Sequence, residues 1–307
     1  MTPTPVFAGI DVGGTTTQVV LVDDRLRMLA HSTTHTPALE GGRAILDAAS
    51  ALIDDLLGAN DVVLAGIGVG SAGVVDTAAG RVAVVSDSFS GWAGFEARDY
   101  LEARYAVDSL IANDVNAFLA GEMIAGAGAG RDNALGITLG TGVGGALWLD
   151  GRLFAGATGA AGEIGHAPGF GDLPCTCGQR GHLETLASGR SIRGLYEAAT
   201  GARHSAAQIA ALAADGDREA QRIFGEAGEG LARAILVATA LLDIDTVVIG
   251  GGVSNAWSLL HPAIEAALAV EPPVRGTAPL IVRGTLGDSA VAQGAAALSF
   301  AVERARP

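Results

Sequence analysis

A chain of 307 residues, 49% hydrophobic and 17% charged, can supply a large core for one domain of unusual size or two medium ones. Its net charge of −14, with no basic tail or stripe, excludes nucleic-acid binding driven by phosphate neutralisation. There is no lysine among its 19 basic residues, which excludes a GxxxxGK(S/T) phosphate loop and a Schiff-base lysine; any bound phosphate must be held by backbone N–H groups, hydroxyls, arginine or a metal.

The segment VFAGIDVGGTTTQVVLVDDRLRMLAHSTT predicts strand, Gly turn, strand, turn, strand. GGRAILDAASALIDDLLGAN has apolar residues at three- and four-residue spacing and predicts a helix, and VVLAGIGVG predicts a buried strand. RDYLEARYAV reads as helix, and SLIANDVNAFLAGE as a strand running into a helix. NALGITLGTGVGGALWLDGRLFAGA then repeats the opening pattern. Set against the first segment without gaps, Gly136 meets Gly9, Ile137 meets Ile10, Gly140 meets Gly13, Asp150 meets Asp23, Arg152 meets Arg25 and Leu153 meets Leu26. Coinciding turn positions favour an internal duplication. Helices follow in SIRGLYEAAT, AAQIAALAAD and the long REAQRIFGEAGEGLARAILVATALLD. The strand DTVVIGGGV, a helix near SLLHPAIEAALA, the strand PLIVRGT and the helix AVAQGAAALSFAVERA complete the order. This alternation predicts an α/β architecture. The opening MTPTPVFAGIDV lacks a basic region followed by an apolar run, and no apolar stretch is long enough for a bilayer, so a soluble, cytoplasmic protein is expected.

The 45 glycines, roughly twice the usual ~7%, gather at turns after apolar runs. In GIDVGGTTT, Asp11 ends a strand before Gly13, Gly14 and Thr15, where N–H groups and hydroxyls can converge on an anion and Asp11 can bind Mg²⁺ directly or through water; a plain hairpin turn is the alternative. TLGTGVGGA, with Thr141 and Gly142, offers a second such turn in the other half, and two facing one cleft would grip a polyphosphate. VVIGGGVSNA, with Gly251 and Gly252, would let an adenine and ribose lie against backbone. Asn113 and Asp114 stand at a strand–helix junction, where Asn can hold a hydroxyl and Asp can accept its proton, or where both serve as helix caps. His166, Cys175, Cys177 and His182 offer four ligands of the type tetrahedral zinc prefers, with no open position for water, so the metal is expected to be structural. A Cys175–Cys177 disulfide or two inert thiols are the alternatives. Glu163 and Glu184 flank this loop, placed to accept hydrogen bonds from a polyhydroxylated ligand or simply to be solvated.

Together DVGGTTT, GSAGVVDTAAGRV, NDVNA, LGTGVGGA, GEIGH, CTCGQRGHLE, IGGGVS and LGDSAVAQGAAAL resemble the ROK family (repressors, open reading frames and sugar kinases) of the actin-like ATPase superfamily, in family order from about residue 7 to residue 300. The resemblance implies two actin-like (ribonuclease H-like) α/β domains around a central cleft with a zinc-clamped loop: residues 1–119 plus 286–307, and residues 120–285. It implies ATP with Mg²⁺ and a hexose as substrates, phosphate being transferred to the 6-hydroxyl of glucose or of N-acetylmannosamine or N-acetylglucosamine. Carried over, Asp114 is the general base. Asn113, Glu163, His166 and Glu184 bind the sugar, with Gly73 and Ser88 at the pocket border. Asp11, Gly13, Gly14 and Thr15 line the phosphates, Thr141 and Gly142 meet them, and Gly251 and Gly252 lie near the nucleoside. His166, Cys175, Cys177 and His182 hold the zinc. Departures are His182 in place of the family's third cysteine, Thr16 in place of a frequent lysine, Ala72-Gly73 for Pro-Gly and Asp87-Ser88 for Pro-Asn; the last two touch the sugar pocket. A homodimer or higher homo-oligomer is the family's habit. A sugar sensor without kinase activity is the alternative. A repressor is disfavoured because the first strand begins near residue 7, leaving no room for a DNA-binding domain before it.

Overall fold

A computed structural model describes residues 4–304. Their contacts divide into two units, the first drawn from Met1–Gly130, Ala155–Ala161 and Thr285–Pro307, the second from Arg131–Phe154 and Gly162–Gly284. The first unit opens with the meander β1 (Thr4–Val12), β2 (Thr16–Val22) and β3 (Met28–His35). After it come α1 (Gly42–Gly58), β4 (Val62–Ser71), the hairpin β5 (Val74–Asp76) and β6 (Arg81–Val84), α2 (Ala97–Tyr105), β7 (Asp108–Asn113) and α3 (Asp114–Ala125). The hairpin is an addition to what the sequence patterns predicted. The sheet runs β3-β2-β1-β4-β7, with β4 parallel to both β1 and β7. Strands covered on both faces read as continuous apolar runs. One face of β1, Val6, Ala8 and Ile10, joins Ile45, Leu46, Ala49 and Ile53 of α1 in a core from which solvent is excluded. The α1 residues recur at helical spacing, which is the pattern read from the sequence. No side chain caps the start of α1, so burial of that stripe holds the helix.

The second unit repeats the scheme. Its meander is β8 (Ala134–Leu139), β9 (Val143–Leu149) and the short β10 (Arg152–Leu153). Then follow α4 (Glu184–Ala187), α5 (Gly189–Thr200), α6 (Ala206–Ala214), α7 (Arg218–Leu242), β11 (Thr246–Gly250), α8 (Trp257–Val270) and β12 (Leu280–Arg283). The order β10-β9-β8-β11-β12 matches that of the first sheet strand for strand, as the aligned segments suggested. The second turns of the two meanders differ: Leu26 is left-handed in one, Asp150 and Gly151 in the other. The long α7 is capped at its start by Asp217, whose carboxylate accepts from the Ala220 N–H at 2.8 Å, and closed by Asp243 in the left-handed region.

The remaining helix, α9 (Ala290–Arg304), belongs to the first unit and lies against β1, β4 and α3. A methyl group at Gly9 would overlap the Ala292 carbonyl, one at Gly68 the Ala295 carbonyl, and one at Gly294 the Ala117 carbonyl of α3. Helix and sheet therefore meet backbone to backbone, which accounts for the small residues of AVAQGAAAL. Among the described residues no helix is long and apolar enough to cross a membrane.

Candidate functional site

In the first unit, Asp11 is paired in register with Gly70 of β4, Gly70 with Ala112 of β7, and Ser71 with Asn113. The three parallel strands end level, so one sheet edge carries both Asp11 and the Asn113–Asp114 junction. The Gly13 N–H closes the adjoining turn on the Thr16 carbonyl at 3.1 Å, while Gly14 and Thr15 stay exposed. The Asn113 side chain caps α3, accepting from the N–H groups of Val115 at 2.9 Å and Asn116 at 3.2 Å. Its amide donates to the Gly73 carbonyl at 2.9 Å, fixing the loop after β4. The capping role read from the sequence is thus present, and one amide proton is left for a ligand. Asp114 is the first residue of α3, and its carboxylate accepts from the Val115 N–H at 2.9 Å.

Burial, and secondarily the Asp114 charge, pushes the Asp11 carboxyl up to about 7 although its residue keeps partial exposure. A carboxyl raised in the folded state holds its proton there after the unfolded chain has released it. Stability from this group is therefore full at acid pH and falls as pH rises toward 7. Asp11→Asn removes the burden. Without added magnesium or nucleotide, the variant is expected to gain about 2 kcal/mol over the parent between about pH 5.5 and pH 8, as read by urea unfolding. An equal difference at both values would refute the shift.

Gly73 is left-handed, and a side chain there would strike the Val84 carbonyl. Ser88 is exposed in the loop after β6. This region is held by a contact the sequence did not disclose: the indole N–H of the buried Trp92 donates to Ser71 Oγ at 2.8 Å. A lone Trp amid SFSGWAGF is the only signal that could have drawn attention to it.

In the second unit the 140–142 turn joins β8 to β9, with Thr141 exposed. It is braced from two sides. The Gly189 N–H, at the start of α5, donates to the Gly140 carbonyl at 2.8 Å, and the Val143 N–H donates to Glu184 Oε2 at 3.0 Å. Glu184 is buried, so the simple solvated reading fails for it; Glu163 is exposed. The other Glu184 oxygen accepts from the Thr176 hydroxyl at 2.7 Å. Glu184 thus ties the Gly turn to the Cys/His loop. At the third turn, Gly251 is left-handed and a Cβ there would collide with the Leu139 backbone, so only glycine fits. Gly252 begins a 3-10 turn and both glycines are exposed.

The donor atoms of His166, Cys175, Cys177 and His182 lie within 4.8 Å of one another. Cys175 Sγ is 3.7 Å from His166 Nδ1 and Cys177 Sγ 3.3 Å from His182 Nδ1. Zinc–ligand bonds of about 2.3 Å to sulfur and about 2.0 Å to nitrogen imply S···N edges of about 3.5 Å in a tetrahedron, so the set fits a four-coordinate metal. Both cysteines are free thiols. Burial pushes the Cys175 thiol up, and the Cys177 thiol and Glu184 carboxylate press the same way, against the Cys177 N–H; a bound dication would reverse this and favour the thiolate.

The repeated β-meander with two added parallel strands, and Gly turns at the strand ends, define an α/β fold of the actin-like ATPase class. The ROK family model matches residues 7–301, and the chain belongs to that family. It is 32% identical over 301 residues to the glucokinase of Thermotoga maritima, covering 92% of this chain and 94% of that protein. It is 34% identical over 291 residues to the N-acetylmannosamine kinase of Citrobacter koseri, covering 93% and 98%. The structure of a ROK family glucokinase from Streptomyces griseus, in complex with glucose and AMPPNP, superimposes with a TM-score of 0.80 at 28% identity over 96% of this chain and 99% of that one.

Proposed function

We propose that the protein is an ATP-dependent hexose kinase that phosphorylates the 6-hydroxyl of glucose or an N-acetylhexosamine. The observation that carries this reading is the pair of carboxylates Asp11 and Asp114, delivered to one sheet edge beside a Gly-Gly-Thr turn, with Asp11 raised by burial and, secondarily, by the Asp114 charge. The relatives named for glucose and N-acetylmannosamine phosphorylation support it.

Asp114 accepts the proton of the 6-hydroxyl as the hydroxyl attacks the γ-phosphorus, in line with the departing ADP oxygen. Asn113, Glu163, His166 and Glu184 bind sugar hydroxyls, with Gly73 and Ser88 bordering the pocket. The His166 ring faces Cys175 with Nδ1, which leaves Nε2 for a hydroxyl. Asp11, Gly13, Gly14, Thr15, Thr141 and Gly142 would supply phosphate contacts; Gly251 and Gly252 would accommodate the nucleoside. Two carboxylates with one of them pushed up in pKa suit a cation, and Asp11 would hold Mg²⁺, which when bound with ATP neutralises phosphate charge. His166, Cys175, Cys177 and His182 would hold Zn²⁺, which shapes their loop and has no open position for catalysis.

Coupled measurement of ADP release with glucose, N-acetylmannosamine and N-acetylglucosamine tests the proposal. Saturable, sugar-dependent ADP release is expected with at least one of them. Binding of a hexose with no ATP consumption on any of the three would instead identify a sugar sensor.

A further inference from the structure

Glu122, on α3, is a fully buried carboxylate with no role in the chemistry above. Among the described residues no arginine is paired with it; it is held by backbone. Oε2 accepts from the Ala127 N–H at 2.8 Å and the Thr285 N–H at 3.0 Å, with the Thr285 hydroxyl at 3.4 Å. Oε1 accepts from the Leu286 N–H at 2.9 Å. Its main-chain carbonyl accepts as well, from Gly126 at 3.1 Å and Gly128 at 2.9 Å. A Cβ at Gly126 would collide with the carboxylate, so the loop after α3 is shaped around this side chain. A buried carboxylate costs several kcal/mol to desolvate unless donors satisfy it, and three N–H groups aimed at it from two distant segments do so.

The placement of those segments gives the contact its meaning. The chain leaves the first unit after Gly130 and finally re-enters it at Thr285. Ala127 lies just before the first crossing, Thr285 and Leu286 just after the last, and both are bound to one carboxylate two turns along the helix that begins at Asp114. We propose that Glu122 is a hinge anchor and a positioning residue: it makes α3 and these two crossing segments one rigid piece, confines bending to the residues beyond them, and so fixes the helix that carries the general base. The effect on turnover rests on the kinase reading; the anchoring itself does not.

Glu122→Gln keeps the shape but turns an NH₂ toward donors that need an acceptor. In substrate-free protein, hydrogen exchange at Ala127, Thr285 and Leu286 is expected to quicken by about tenfold or more, while amides inside β4 and β7 change far less. Turnover should fall severalfold with the KM values for sugar and ATP moving together, as hinge changes do. Should Glu122→Gln fail to fold, Glu122→Asp, which keeps the charge but withdraws it by one methylene, is read the same way. Unchanged exchange at the three amides, or a uniform rise across the whole unit, would overturn the anchor. Local exchange that quickens while kcat and KM stay as in the parent would overturn the positioning role. Should the parent protein phosphorylate no sugar, the kinase reading fails and the exchange result still decides the anchor.

Discussion

Asp114→Asn is expected to lower kcat by about 10² to 10⁴, the usual worth of a positioned general base, with the KM for sugar little changed. The substitution keeps the capping geometry at the start of α3. Asparagine keeps an oxygen to accept from the Val115 N–H and remains a good residue for the first turn of α3. The loss of a negative charge at a helix start opposes it by about 0.3 to 1 kcal/mol. Relief of the repulsion on Asp11 offsets part of that, so the Asp11 carboxyl should move down in the variant. Loss of turnover with retained thermal stability and sugar binding separates a chemical role from a folding role. Parent-like kcat would remove Asp114 from the mechanism.

Zinc is expected in the Cys/His loop, and its withdrawal is expected to be the most damaging change to the second unit. Between Gly162 and Glu184 the only helical element is the 3-10 turn Ile164–His166, supplemented by isolated bridges between Pro168 and His182 and between Pro174 and Arg180. Most of residues 171–180 are exposed, so little apolar burial offsets the entropy of ordering them. A structural zinc supplies about 10 to 16 kcal/mol of apparent binding energy in small domains, ample to fix such a segment. The sheet of the second unit has its own buried residues and should persist. One zinc per chain is therefore expected in protein purified without chelator. Removing it with a strong chelator, or by Cys177→Ala, should expose the loop to protease and abolish sugar turnover without unfolding the strands. Because Glu184 bridges Thr176 and the Val143 N–H, the KM for ATP should rise too. Metal-free protein with intact turnover and an intact loop would dispose of this account.

The elements and their order were legible because apolar periodicity and glycine position are local properties. β4, α1 and α7 follow their sequence patterns closely, and the matched glycines of the two meanders foreshadowed two sheets of equal strand order. The four metal-type ligands could be grouped from spacing, since residues 166–182 are too few to scatter far. What escaped was decided by contacts distant in sequence or made through backbone. Nothing in FLAGEM shows that Glu122 would be buried, since its partners at 285 and 286 are ordinary loop amides. That Glu184 would also brace the Gly turn was not legible, because the N–H of Val143 that donates to it leaves no mark in the sequence. Trp92 and Ser71 are joined by geometry alone, and the β5–β6 hairpin carries no clean alternation.

The backbone-to-backbone seating of α9 on Gly9 and Gly68 has a consequence for biosynthesis. During translation the strip of the first sheet that α9 covers emerges early, and the helix that seats on it is made only after the whole second unit. The first unit therefore cannot complete its packing until α9 has been made, after every strand of the second.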